Sequence, residues 1–177
     1  ILIATSRPET LYGDAAVMVH PEDLRYTDLI GKQVLLPLTN RKIPIIADSF
    51  VQKEFGTGAV KVTPMQNFDD WEVGARHNLT GIQVVGFDGK MINTQLVDGE
   101  YVKPAREKTV ELLKEQGLYR GEKSYKTVKK SCYKCKHELE PLPLEQWFVK
   151  VETLSKKAIE VVKTGKIKIT PKNFEAI

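Results

Sequence analysis

The stretches of this 177-residue chain able to form β-strands are short, and nearly all are cut by proline, glycine or a polar turn. After an opening β-rich run from Ile1 to Thr5, they are Ala15 to Val19, Gln33 to Leu38, Ile43 to Ala47, Ala59 to Thr63 and Ile82 to Phe87. Helical signals fall between and after them, without the regular strand–helix alternation of a doubly wound sheet. Many short strands interrupted by a few helices call for an α+β fold. The expectation is a barrel-like, mostly antiparallel β core with peripheral helices over residues 1–124, followed by a C-terminal arm over 125–177.

Local signals fill in that frame. Thr39-Asn40-Arg41-Lys42 reads as the turn of a hairpin, which leaves Pro37 and Pro44 for strand ends or an edge. Pro21 to Gly31 reads as a turn and a short helix. Pro64 stops a strand, and Asn67 is placed to cap a helix with Asp70 three residues on, the spacing of a capping box. That helix is expected to end near His77 and Asn78. A second helix begins around Pro104, with Val102, Ala105, Thr109 and Leu113 on one face, and stops at Gly117. A basic strand then leads to the cysteines, and a last amphipathic helix spans about Glu152 to Lys163 before Gly165.

With 41% hydrophobic and 28% charged residues, the composition is that of an ordinary globular protein. No apolar run approaches the roughly 20 residues that cross a bilayer, so no membrane partner is expected. The opening Ile-Leu-Ile has neither an initiator Met nor a basic leader, and reads as part of a longer chain. Two cysteines make no disulfide framework and suit a cytoplasmic location. Net charge is only +4, but from Arg120 to Lys136 seven basic residues face the single acid Glu122. Such an excess is either a footprint for a phosphate backbone or a solvated, lysine-rich edge strand.

Among the motifs, Gly56-Thr57-Gly58 lacks the Lys-Ser/Thr ending of a phosphate-binding loop. It reads as a tight turn, with or without a ligand close to its backbone. Asp69 and Asp70 open a helix, where a carboxylate serves as a cap or holds a cationic group at a pocket mouth. Cys132-x-x-Cys135 is half of a tetrahedral metal site, and the chain holds no second pair. No serine-protease order or H-E-x-x-H pattern occurs.

Several blocks together carry a family. Ala4-Thr5-Ser6-Arg7-Pro8-Glu9-Thr10 followed by Gly13-Asp14 resembles the entry motif of the editing domain in class I aminoacyl-tRNA synthetases for valine, isoleucine and leucine. His20-Pro21-Glu22-Asp23-Leu24-Arg25-Tyr26, Ile43-Pro44-Ile45-Ile46-Ala47-Asp48 and Phe55-Gly56-Thr57-Gly58-Ala59-Val60-Lys61-Val62-Thr63-Pro64 are similar to the valyl branch. Glu140-Pro141-Leu142 and Gln146-Trp147-Phe148-Val149-Lys150 come next in the same order, so the likeness runs nearly end to end.

The resemblance implies hydrolysis of the ester between threonine and the terminal ribose of mischarged tRNA for valine. Valyl enzymes are themselves the known case of limited discrimination: their synthetic pocket rejects threonine only about a hundredfold. A second pocket that hydrogen-bonds the hydroxyl refuses valine, which would leave its polar lining unpaired. By resemblance, Asp70 is the catalytic residue and holds the α-ammonium of the substrate. Thr5, Lys61, Thr63 and Asn67 line the side-chain pocket; Arg7, Phe55 and Thr10 border the terminal adenosine. The partners implied are the mischarged tRNA 3′ end and the remainder of a synthetase chain. Editing implies no cofactor, while ATP and zinc belong to the full-length enzyme. Cys132 and Cys135 resemble the distal pair of a zinc site whose other pair lies upstream of the editing insert, so no metal site is expected within this sequence alone.

One stretch departs from the family pattern. Where Ala-His-Asp usually comes after Thr-Pro, this chain has Met65-Gln66-Asn67. An active deacylase and a catalytically weakened insert that binds the tRNA end are therefore the two alternatives. An isoleucyl editing domain is a third, opposed by the valyl-like blocks.

Overall fold

The computed structural model describes residues 1–174. Its sheet has four strands, β1 (Ala16–Val19), β2 (Gln33–Leu35), β3 (Lys42–Ala47) and β4 (Ala59–Val62), in the order β2-β3-β1-β4. The β2–β3 and β1–β4 pairings are antiparallel, whereas β1 and β3 run parallel, with Val17 opposite Ile45. β1 is buried at all four positions. Val17 and Val19 join one cluster with Leu36, Ile43, Ile45 and Ala59, while Ala16 and Met18 join another with Val51, Val62 and Val73. An unbroken apolar run is what a strand covered on both faces requires. A third cluster gathers Tyr12, Val84, Val85, Met91, Val97 and Ala105 away from the sheet.

The chain is α+β, but the sheet is open, and the expected barrel does not form. Closure would require β2 and β4, the outer strands, to meet a further strand. Two segments expected to be strands do not supply one. Ile1 to Thr5 runs without regular pairing, and Ile82 to Phe87 contributes only an isolated bridge from Val85 to Met91. The basic segment before the cysteines is likewise no strand; it is exposed from Arg120 to Ser131 and paired only where Ser131 meets Glu138. Pro44 lies within the inner strand β3, opposite Gln33, rather than at an edge. The ladder to β2 survives because the amide of Ile45, not of Pro44, donates to the Lys32 carbonyl (2.8 Å).

The helices start and stop where their end signals lie. α1 (Phe68–Arg76) is capped by Asn67, whose side chain accepts from the Asp69 amide at 2.9 Å. It ends at His77, and Asn78 adopts a left-handed conformation (φ 52°). Val73 buries the inner face of α1 against the sheet. α2 (Val102–Glu115) buries Ala105 and Thr109 and ends before Gly117, whose φ of 66° no other residue adopts so cheaply. The polypeptide divides into two compact units, Ile1–Pro143 and a second from Leu144 onward. Residues 138–143 belong to the first unit because Leu142 packs on the third core cluster and Glu140 pairs with Arg7. In the second unit α3 (Glu152–Lys163) forms over the expected residues, with no buried side chain. No helix among the described residues is long and apolar enough to cross a membrane.

Candidate functional site

Three elements of the first unit converge on one buried polar cluster. The first is a 3-10 turn, Pro8–Gly13, with proline at its start, where a missing amide costs nothing. Gly13 closes it against the Ile82 carbonyl, where a Cβ would lie 2.8 Å away, so only glycine allows this approach. The turn thereby delivers Asp14 inward, 3% exposed. The second element is β4, whose two-residue period puts Lys61 on the same side as Thr63 just beyond it. The third is α1, which presents Asp70, also buried, in its first turn.

Lys61 Nζ donates to Asp14 Oδ1 (2.8 Å), Thr10 Oγ1 (2.8 Å) and Thr63 Oγ1. Thr63 Oγ1 donates in turn to Asp14 Oδ1 (2.7 Å), while the Thr63 amide donates to Asp70 Oδ2 (2.8 Å). Thr63 thus ties two buried carboxylates together. Burial is the leading cause that raises both carboxyls above the ordinary aspartate range, and Lys61 opposes it in each. The Asp14 charge raises Asp70 further. Asp70 makes no return bond to the Asn67 amide, so only the N-cap half of the capping box forms.

The residues singled out in the sequence fall into three groups. Thr10, Lys61, Thr63 and Asp70 belong to this single network. Arg7 reaches it because the Thr10 hydroxyl donates to its carbonyl (3.0 Å), and Thr5 accepts from the Arg7 amide (3.0 Å). Asn67 is exposed and holds the start of the helix that carries Asp70. Phe55 stands apart, 56% exposed in the turn before β4, with its ring edge-to-face on Tyr125 (centroids 6.0 Å, 74°). Gly58 in that turn is needed by the protein itself. The Arg25 guanidinium and the Lys53 carbonyl occupy the space of its missing side chain.

Asp14, Glu9, Arg106 and Glu140 are functional-site neighbours that the sequence alone does not single out. Glu9 is fully buried and accepts two bonds from Arg106 (2.8 Å each) and one from Arg7 (3.2 Å); Arg7 also pairs with Glu140. The signal for Asp14 lies in the Gly13-Asp14 pair, since a glycine forced by close packing sets the direction of the next residue. Gln66 is buried with neither carboxamide atom partnered among the described residues. Neither concavity coincides with the polar cluster. A groove of about 490 Å³ runs beside Leu35 to Asn40, and a hollow of about 120 Å³ lies between Pro64, Trp71 and Gly81.

Cys132 and Cys135 sit on a tight knuckle. The Cys132 amide donates to the His137 carbonyl (2.8 Å), the Lys136 amide returns to Cys132 (2.9 Å), and Lys136 turns the chain with φ 62°. Backbone amides of Cys135 and then Lys134 lower the Cys132 thiol below its usual range. The knuckle fits half of a zinc site. No group of three His, Cys, Asp or Glu able to hold a metal occurs among the described residues.

The family model described as leucyl-tRNA synthetase, editing domain, matches residues 27–131. A valine--tRNA ligase of Treponema denticola is 48% identical over 177 residues, covering 99% of this chain and 20% of the relative. That of Carboxydothermus hydrogenoformans is 49% identical over 178 residues, again 20% of the relative's length. The chain thus spans about a fifth of the curated relatives it matches. A solved structure described as the crystal structure of GlLeuRS-CP1 shares the fold, with a TM-score of 0.54 at 15% identity, over 66% of this chain and 80% of that one. The chain belongs to the family described by the leucyl-tRNA synthetase editing domain, and along nearly its whole length it is similar to a segment of valine--tRNA ligases.

Proposed function

We propose that this domain hydrolyses threonine esterified to the tRNA for valine. The observation that carries the reading is the pair of buried carboxylates tied through Thr63 beside the Lys61 ammonium. Asp70 Oδ2 is held by the Thr63 amide, and Oδ1 has no partner among the described residues and is left to accept the substrate α-ammonium. Lys61, Thr63, Thr5 and Asn67 line the side-chain pocket, where hydroxyl-bearing threonine is matched and valine is not. Arg7, Thr10 and the exposed ring of Phe55 border the terminal adenosine. A water molecule attacks the ester carbonyl, aided by a ribose hydroxyl, and orientation supplies most of the acceleration. No side chain acts as nucleophile and no metal takes part. The tRNA body, ATP and the synthetic site belong to the remainder of a cytoplasmic synthetase.

The test is Asp70→Ala in the full-length enzyme. An unpaired ammonium in the bound state costs on the order of 3 kcal/mol, more than a hundredfold in deacylation of Thr-tRNA. A purely structural Asp70 would instead cost about 1–3 kcal/mol of stability through the orphaned Thr63 amide, with hydrolysis intact in the folded fraction. Unchanged hydrolysis refutes the assignment.

A further inference from the structure

Asp14 has a role that rests on the reading of Asp70 just given. An ammonium already inside a site that must receive a second ammonium is a liability. Lys61 repels the incoming charge and weakens any carboxylate it neutralises. Among the charges acting on Asp70, Lys61 is the leading cation, and Asp14 and Asp69 are anions. Lys61 makes its carboxylate contact with Asp14, at 2.8 Å, and makes none with Asp70. Arg41, the other cation at Asp14, donates to the backbone carbonyls of Tyr12 and Asp14.

We propose that Asp14 is a positioning residue that pairs with Lys61 and so offsets the repulsion this ammonium would exert on the substrate α-ammonium at Asp70. Its placement is built in at three points. Gly13 fixes the backbone against Ile82, the Thr63 hydroxyl donates to the same carboxylate oxygen as Lys61, and the group is almost wholly buried. Burial also keeps the pairing from being screened by solvent. Lys61 remains a donor to Thr10 and Thr63 in the pocket while its charge is matched locally.

The test compares two non-hydrolysable ligands on the full-length enzyme by titration calorimetry. One is threonine joined by an amide to 3′-amino-3′-deoxyadenosine; the other is the same molecule without its α-amino group. The preference of the unmodified enzyme for the ammonium-bearing ligand tests Asp70. If that preference is absent, the reading of Asp70 fails, and the role of Asp14 with it. Only a change in the preference tests Asp14. Asp14→Asn is expected to reduce it roughly tenfold, and Lys61→Met to increase it by a similar factor, whatever either does to binding of both ligands. A merely structural Asp14 would weaken both ligands alike and leave the ratio unmoved, which overturns the proposal. If Asp14→Asn does not fold, Lys61→Met decides alone: a ratio that fails to rise overturns it.

Discussion

At the scale of single residues, the site is organised by burying charge. Asp70 has its carboxyl raised by burial first, eased by the Thr63 amide and Lys61. A carboxyl raised in the folded state contributes stability that is complete below the unfolded value and is lost as pH rises through the folded one. Ionised Asp70 therefore opposes folding at neutral pH. Asp70→Asn, which keeps an acceptor for the Thr63 amide, is expected to raise the melting temperature at pH 7 while hydrolysis is lost. The gain should vanish near pH 4, and a lower melting temperature at pH 7 would refute it. Asn67 is a different case. Its oxygen is committed to the Asp69 amide, so Asn67→Ala should cost about 1 kcal/mol in denaturant unfolding. That cap was legible from Asn67 alone, because capping needs only the local backbone. The role of Asp14 was not, because its partners Lys61 and Thr63 lie 47 and 49 residues away.

At the scale of elements, α1 is fastened at both ends. Beyond its capped start, His77 Nε2 lies 2.8 Å from Asp48 and Arg76 lies 3.1 Å from the same oxygen, anchoring the helix end to the segment after β3. Desolvation opposes the ionised Asp48, but the Phe50 amide, His77 and Arg76 together hold its carboxyl below the ordinary range. A lowered carboxyl contributes stability above the unfolded value and loses it as pH falls through the folded one. Asp48→Asn should thus destabilise by about 1–2 kcal/mol at pH 7. In acid unfolding the difference from the unmodified protein should shrink below about pH 4; a constant gap would contradict it. The cysteine knuckle offers two thiols, so dialysed protein of this sequence should retain no stoichiometric zinc by metal analysis, and one zinc per monomer would refute that. Helix limits were legible because Asn67, Gly117 and Gly165 act within a turn of themselves. Ile82 to Phe87 has a strand's composition but bonds only locally, to Lys90 and Ile92 around one bridge to Met91, and strand formation depends on finding a partner along its length.

At the scale of the molecule, an α+β class was legible from the spacing of short apolar runs, and barrel closure was not. Closure depends on which edges meet, and the four strands stop at β2 and β4. What the fold accomplishes is to bring a 3-10 turn, a strand and a helix from separate parts of the sequence onto one pair of carboxylates. The departure at Met65-Gln66-Asn67 leaves that pair intact, since Asp70 is held by Thr63 and not by those three residues. An active hydrolase is therefore expected in place of an inert insert. The most direct measurement is the deacylation of Thr-tRNA and Val-tRNA, both with the tRNA for valine, by the full-length enzyme under single-turnover conditions. The expected result is rapid release of threonine with valine retained, by a factor of at least roughly a hundred, because valine cannot satisfy the polar lining. Equal rates for the two esters, or no release of threonine above the spontaneous rate, would contradict it.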